Sequence, residues 1–307
     1  MSGDHRCPEV SVCLPTYNGG RYVERAVESV LQQSYGDFEL IVCDDASSDN
    51  TIEMVRNVSD PRLIVIQNEH RLGLVGNWNR CLGFRRGRYV VLMHQDDLMH
   101  PDNLTLKTSF LNAHPDIALV HSNIRLIDES GSVIGGHWLP QGDKDRLETG
   151  EECLHRLLVE GNFICCPSVV MRSEALSEMG DFDARLPYTT DYEMWLRFAG
   201  RYGVGYLAQP LIDYRVHTAQ ETARFRNRRE VIEMARAVQI ALSEHIRHPD
   251  RERLWRLAKQ ALIRWAWRQA YWKARKGHIR DSLGYLVAGA QLLFGSVTAT
   301  DSCNGHL

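Results

Sequence analysis

The sequence predicts an α/β protein, a wound and largely parallel sheet covered by helices. Three observations carry that expectation. Short apolar runs, Val10 to Leu14, Phe38 to Cys43, Leu63 to Ile66 and Tyr89 to Met93, alternate with stretches of helical periodicity, the pattern of βαβ units. The run from Tyr89 carries no charge, as a strand buried on both faces requires. Two of the runs then empty into adjacent acids, Asp44-Asp45 and Asp96-Asp97. A parallel sheet would set both pairs along one edge, where open α/β sheets hold their ligands.

Val10 to Leu14 is the first strand, Pro15 should end its ladder, and Pro15 to Gly20 is a turn with exposed donors. Tyr22, Val23, Ala26, Val27, Val30 and Leu31 form one stripe of a helix. After the strand Phe38 to Cys43, Ala46 to Thr51 supplies caps for a helix carrying Ile52, Val55 and Val58. Leu63 to Ile66 is the third strand, Leu74 to Phe84 a helix, and the Tyr89 run the fourth strand. Beyond Pro101 the alternation loosens. Ile117 to His121 is a strand, and Arg125 to Ile134 a hairpin turning at Asp128-Glu129-Ser130-Gly131. Gly135 to Gly150 suits a mobile loop. Short strands Val169 to Met171 and Gly205 to Leu207 flank a helix from Asp191 to Tyr202, with Thr190 as N-cap and Glu193 completing a capping box. From Glu221 onward the pattern is helical, which divides the chain into a sheet domain over 1–220 and a helical region over 221–307.

Net charge of −3 argues against nucleic acid as a partner. Eight cysteines form no C-x-x-C pair and several sit in strand-like runs, which favours a reducing compartment and no zinc site. No basic-then-apolar leader opens the chain, and no apolar run approaches the ~20 residues of a membrane-spanning helix. A cytoplasmic location is therefore expected, with peripheral contact at the inner face of the membrane as a variant. No G-x-G-x-x-G follows a strand and no G-x-x-x-x-G-K-[ST] loop exists, which counts against hydride and phosphoryl transfer. Adjacent acids repel unless something answers them, usually a hard divalent ion that brings phosphate; a solvated turn is the plain alternative. Arg247 to Arg280 gathers arginines and lysines beside Trp255, Trp265, Trp267, Tyr271 and Trp272. Leu254, Leu257, Ala258, Ala261, Leu262 and Trp265 make its core-facing stripe. Such helices pack as a bundle, lie on an anionic membrane or meet the acceptor or another subunit of a homo-oligomer.

Val10-Ser11-Val12-Cys13-Leu14-Pro15-Thr16-Tyr17-Asn18-Gly19 and the stretch from Phe38 through Asp44-Asp45-Ala46-Ser47-Ser48-Asp49 resemble the opening strands of the inverting family 2 glycosyltransferases with the GT-A fold. The resemblance runs from about Val10 to about His217. It implies the nucleotide-diphospho-sugar transferase architecture, a Rossmann-like mixed sheet, and a nucleotide-sugar donor with Mn²⁺ or Mg²⁺. The donor is most simply a UDP-sugar, with dTDP- or GDP-sugars as the alternative. The acceptor is a hydroxyl-bearing glycan or lipid-linked molecule of bacterial surface polysaccharide or glycolipid assembly. Carried over by position, Pro15, Thr16 and Tyr17 line the base pocket, Asp45 holds the base edge and Asn79 lies near the donor. Asp96 meets the ribose or a metal-bound water, and Asp97 ligates the metal. His94 replaces the first acid of the common Asp-x-Asp-Asp element and is expected as a strand-end hydrogen-bonding residue rather than a ligand. Asp191, in Thr190-Asp191-Tyr192-Glu193-Met194-Trp195, matches the general base, with Thr190 where Glu is common. In Tyr214-Arg215-Val216-His217, Arg215 meets the diphosphate and His217 the metal or its water. A processive synthase would need Gln-x-x-Arg-Trp, and Gln260 to Trp265 has one residue too many. A nucleotidyltransferase would need a phosphate loop that is missing. A non-catalytic nucleotide-sugar-binding or assembly module is the rival from another class.

Overall fold

The computed structural model describes residues 7–137, 141–218, 220 and 227–295. Its first half is β1 (Val10–Thr16), α1 (Val23–Leu31), β2 (Phe38–Asp44), α2 (Thr51–Arg56), β3 (Leu63–Gln67), α3 (Leu74–Gly83) and β4 (Tyr89–Leu92). The four strands run parallel in the order β3-β2-β1-β4, with Val12 in register with Leu40 and Val91. The period of two sorts their side chains. Val12, Leu14, Val42 and Val91 join the core beneath α1, while Cys13, Ile41, Val90 and Leu92 join the one beneath α3.

β1 outruns its expected stop by two residues, through Pro15 to Thr16. The reason is which neighbour Pro15 faces. Cys13 gives its carbonyl to Met93 on the β4 side, and the β1–β4 register ends at Cys13 and Leu92. Two residues on, the missing Pro15 N–H falls beyond that ladder, while Thr16 still accepts the Asp45 N–H on the β2 side.

The second half adds β5 (Leu98–Met99), α4 (Asn103–Ala113), β6 (Ile117–Ile127), β7 (Val133–Gly136), β8 (Arg146–Glu148), α5 (Gly150–Glu160), β9 (Val170–Arg172), α6 (Ser173–Met179), α7 (Thr190–Ala199) and β10 (Gly203–Arg215). The sheet continues β4-β9-β6-β10-β5 and becomes mixed, because β9 is antiparallel to both β4 and β6. The hairpin β6–β7 closes where expected, with the Asp128 N–H donating to Ser132. Four expectations are corrected. β6 is 11 residues long, and Gly205 to Leu207 is one part of a 13-residue β10 whose period is broken by register shifts around Pro210. The supposed loop after Gly135 holds β8, paired antiparallel with β10; residues 138–140 of it lie outside the described residues. The capping box belongs to α5, where Thr149 and Glu152 cap each other, and not to α7. α7 has Thr189 as N-cap, Thr190 Oγ1 donates to the Asp183 carbonyl, and Glu193 turns inward to Arg197 at 2.7 Å.

α8 (Arg228–Ile240) runs into a π-helical turn, Ala241–His245, followed by α9 (Arg251–Arg275) and α10 (Ile279–Leu293). The expected onset at Glu221 lies outside the described residues. Ala237, Val238, Leu242 and Ala258 enter the same core as α5 and α7, while Val231, Leu262, Ala266, Tyr285 and Leu292 make a core of their own. In the expected α9 stripe, Ala258, Ala261 and Leu262 are buried, whereas Leu254, Leu257 and Trp265 are half-buried.

Candidate active site

The parallel strands deliver their carboxyl ends to one rim, and the chain stitches that rim together. Asp44 is buried and accepts from Thr16 Oγ1 at 3.0 Å and from Ser47 N at 2.9 Å, with Ala46 between them in the left-handed region at φ 55°. Asp45, also buried, accepts from Asn68 Nδ2 at 2.9 Å, Leu72 N at 2.7 Å and Gly73 N at 2.8 Å, which fixes the loop before α3. Asn77 Nδ2 donates to the Cys43 carbonyl at 2.9 Å and Asn77 Oδ1 accepts from Asn68. Gln95, between the acids' neighbours His94 and Asp96, accepts the Tyr17 N–H at 2.9 Å and donates to the Tyr17 carbonyl at 3.1 Å. A side chain on Gly19 would stand 2.3 Å from the Gln95 Oε1, so that clamp requires glycine there. Of the expected base-pocket residues, Pro15 and Thr16 are buried in β1; Tyr17 is half-exposed, with the Arg71 guanidinium 4.0 Å over its ring.

Beyond β4, His94, Asp96 and Asp97 each place a ligand atom within 4.8 Å of the others. Asp97 is fully buried; its Oδ1 accepts the Arg215 N–H at 2.8 Å, but its Oδ2 has no hydrogen-bond partner and faces His94 Nδ1 at 3.5 Å. His94 Nε2 is buried without a partner as well, the ring being stacked on Trp78 with centroids 5.3 Å apart. His217 Nε2 lies 2.9 Å from Asp96 Oδ2. Burial, with the charge of Asp96 added, pushes Asp97 up to about 6. Burial works the same way on Asp96, but the His217 hydrogen bond and the His94 charge outweigh it and hold that carboxyl below its usual range. His94 is raised, because Asp97, Asp96 and Asp191 together overcome its burial. Two carboxylates and an imidazole around an unanswered buried oxygen fit a divalent cation. His94, expected only to hydrogen-bond at the strand end, thus joins the set.

Asp191 stands in the first turn of α7, where its Oδ2 accepts from Asn162 Nδ2 at 3.0 Å and its Oδ1 accepts the Tyr192 N–H at 2.7 Å. Burial pushes it up to about 6, against the pull of His94. One imidazole therefore feels Asp96, Asp97 and Asp191, and the buried Cys165 thiol is raised first by burial, then by Asp97 and Asp191. Asp97 after β4 and Asp191 of α7 thus act electrostatically on the same imidazole and the same thiol.

Two expected donor contacts are committed elsewhere. Asn79 holds the Phe182 peptide by both its atoms, Nδ2 to the carbonyl and Oδ1 from the N–H, each at 2.9 Å. Arg215 is buried and donates to the carbonyls of Asp96 at 2.8 Å and Asp128 at 2.9 Å, its guanidinium 4.7 Å over the Tyr22 ring. It braces the Asp96-Asp97 turn against β10. Asn68, Asn77, Gln95, Arg71 and Asn162 escaped sequence reasoning. Only Gln95 carried a signal, its place between His94 and Asp96.

Residues 11–180 match the family model described as glycosyl transferase family 2, which is more than half of the chain. The chain belongs to glycosyl transferase family 2. The putative glycosyltransferase EpsE of Bacillus subtilis is 30% identical over 251 residues, 78% of this chain and 86% of that protein. The UDP-Glc:alpha-D-GlcNAc-diphosphoundecaprenol beta-1,3-glucosyltransferase WfgD of Escherichia coli is 29% identical over 187 residues, 61% of this chain and 68% of that protein. The mannosyltransferase PcManGT from Pyrobaculum calidifontis, solved in complex with GDP-Man and Mn²⁺, shares the GT-A fold at TM-score 0.62 and 18% identity, covering 98% of this chain and 89% of that one. No helix of this glycosyltransferase's described residues is long and apolar enough to cross a membrane.

Proposed function

We propose that this glycosyltransferase is metal-dependent and inverting, and moves a sugar from a nucleoside-diphosphate donor, preferably UDP-linked, to a hydroxyl of a glycan or lipid-linked acceptor in surface polysaccharide or glycolipid assembly. One observation carries the proposal: the unpartnered Asp97 Oδ2 beside His94 and Asp96, with the charge of Asp191 acting on the same imidazole. WfgD supports a UDP-sugar and a lipid diphosphate acceptor by its name, and the Mn²⁺ complex of PcManGT supports a divalent ion while keeping a GDP-sugar as the second reading. In this reading residues 1–220 carry the chemistry and the helices beyond them support it.

Asp97, Asp96 and His94 would hold Mn²⁺ or Mg²⁺, with His217 fixing Asp96. A bound ion there supplies Lewis-acid stabilisation of charge on the departing diphosphate. Tyr17 and Asp45 orient the base; Asp45 Oδ2 takes a single hydrogen bond, from Gly73, and keeps acceptor capacity for a base N–H. Asp191 accepts the acceptor hydroxyl's proton as that oxygen bonds to the anomeric carbon and the carbon–oxygen bond to phosphate breaks. No side chain is assigned as a nucleophile between the two substrates, so configuration inverts. A carboxyl held near 6 is ionised at neutral pH yet basic enough to take that proton.

The test is product formation from a panel of labelled UDP-, dTDP- and GDP-sugars with and without Mn²⁺. Asp191→Asn should cut transfer by at least ~10²-fold while donor affinity survives. Asp97→Ala should remove the thermal stabilisation that donor gives only in the presence of metal. Donor binding with neither transfer nor hydrolysis would replace the proposal with a binding module.

A further inference from the structure

The second core of the helical region uses one face of the α9–α10 hairpin: Leu262, Ala266, Ala270, Tyr285, Ala288 and Leu292 are all buried. The opposite face is apolar as well, and it is exposed. On α10, Ile279, Leu283, Leu286, Val287 and Leu293 recur at helical spacing, each about half exposed, and Phe294 just beyond is 82% exposed. On α9, Arg264, Trp267, Arg268, Tyr271, Trp272 and Arg275 are spaced three and four apart, a single stripe exposed along its whole length. The two stripes adjoin. A side chain on Gly289 would stand 2.6 Å from the Trp267 indole nitrogen, so α10 passes directly beneath that ring. Ser282 Oγ donates to the Ala270 carbonyl at 2.8 Å and keeps the hairpin closed.

We propose that this outer face docks on an anionic lipid surface, lying in the headgroup plane without crossing it. Charge selects that occupant. Between Arg251 and Gly295 ten lysines and arginines oppose two acids, Glu252 and Asp281, in a chain whose net charge is −3. A second copy seated on the same face would set like charges against each other, whereas anionic headgroups answer them. The aromatic chemistry agrees. Tyr271 and Trp272 pack edge to face at 5.7 Å with the Arg275 guanidinium 5.8 Å from each ring, an apolar body with a cationic tip suited to the headgroup boundary. Length agrees as well, since no helix of the described residues can span the bilayer.

The experiment is vesicle flotation of the full chain. It should rise with phosphatidylglycerol–phosphatidylcholine vesicles and not with phosphatidylcholine alone, and binding should fall about tenfold or more as NaCl goes from about 0.1 M to about 0.5 M. Arg268→Glu with Arg275→Glu should lower vesicle binding about tenfold or more, leaving the melting temperature and transfer to a water-soluble acceptor unchanged. Should that variant fail to fold, tryptophan emission of the wild type decides: anionic vesicles should shift it to the blue and brominated lipid should quench it, effects that Trp267→Phe with Trp272→Phe largely removes. No flotation with anionic vesicles, or a concentration-dependent dimer that the two charge reversals disrupt while vesicle binding stays, would overturn the proposal.

Discussion

Asp191 is half-buried and Lys107 fully buried, and the two load the fold in opposite directions. Asp191 is held near 6 against an unperturbed 3.8, so between those values the folded chain binds more protons than the unfolded one. Stability must fall as pH rises through that window. Asp191→Asn removes the effect, and its advantage in unfolding free energy over wild type, read by chemical denaturation, should grow from pH ~4 to pH ~7, to about 1–2 kcal/mol after allowance for partial solvent access. Transfer follows the same group with the reverse benefit: kcat/KM should climb about tenfold per pH unit below ~6 and level off above it. A rate that is flat through pH 6 would remove Asp191 from the role of base. Lys107 is buried, donates to the Ser168 carbonyl at 2.5 Å and is pushed down by burial from 10.5 to about 7. Here the unfolded chain binds the extra proton, so stability rises with pH between those values. Lys107→Met should flatten that slope, read from chemical denaturation at pH ~7 and pH ~9.

At the scale of elements, the stitching of the rim matters more than any one acid. Asn77→Ala would take one hydrogen bond from the Cys43 carbonyl and leave half of the Asn68 amide unpaired, at a cost of about 1–3 kcal/mol, and would loosen Asp45 with them. Denaturant midpoints and donor affinity should fall together in that variant. β1 to β4 and both acid pairs were legible in the sequence because period two and the acids that end a strand are local signals. The resemblance places Asn79 near the donor, yet Asn79 holds the Phe182 peptide and Asn77 meets the rim: two residues on a helix differ by about 200°, and only the packing of α3 says which one does so. Threonine followed three residues later by glutamate occurs at both α5 and α7. Thr149 and Glu152 are exposed, so they bond each other; Glu193 is buried, so Arg197 claims it. The extent of β10 was hidden by Pro210, which reads as a stop but sits at a bulge.

Across the whole molecule, the helices after β10 hold in place the turn that leads into Asp191, the proposed base. Tyr285 on α10 donates to Glu230 Oε2 at 2.6 Å, and the Tyr188 hydroxyl lies 3.5 Å from the other oxygen of that carboxylate. One turn on, Glu233 accepts the N–H groups of Tyr188 at 2.6 Å and Thr189 at 3.0 Å, the residues that lead into Asp191. Glu233→Ala leaves two backbone donors unpaired and should cost about 1–3 kcal/mol. It should also lower kcat with donor affinity retained; an unchanged kcat would mean that α7 holds its own register. The same bracket decides how this protein can be dissected. Trimming the chain after β10 would silence it toward every acceptor, water-soluble ones included, because the acid would lose its mooring. Where the protein works in the cell and what it does there must therefore be separated by recolouring its surface, never by shortening its chain.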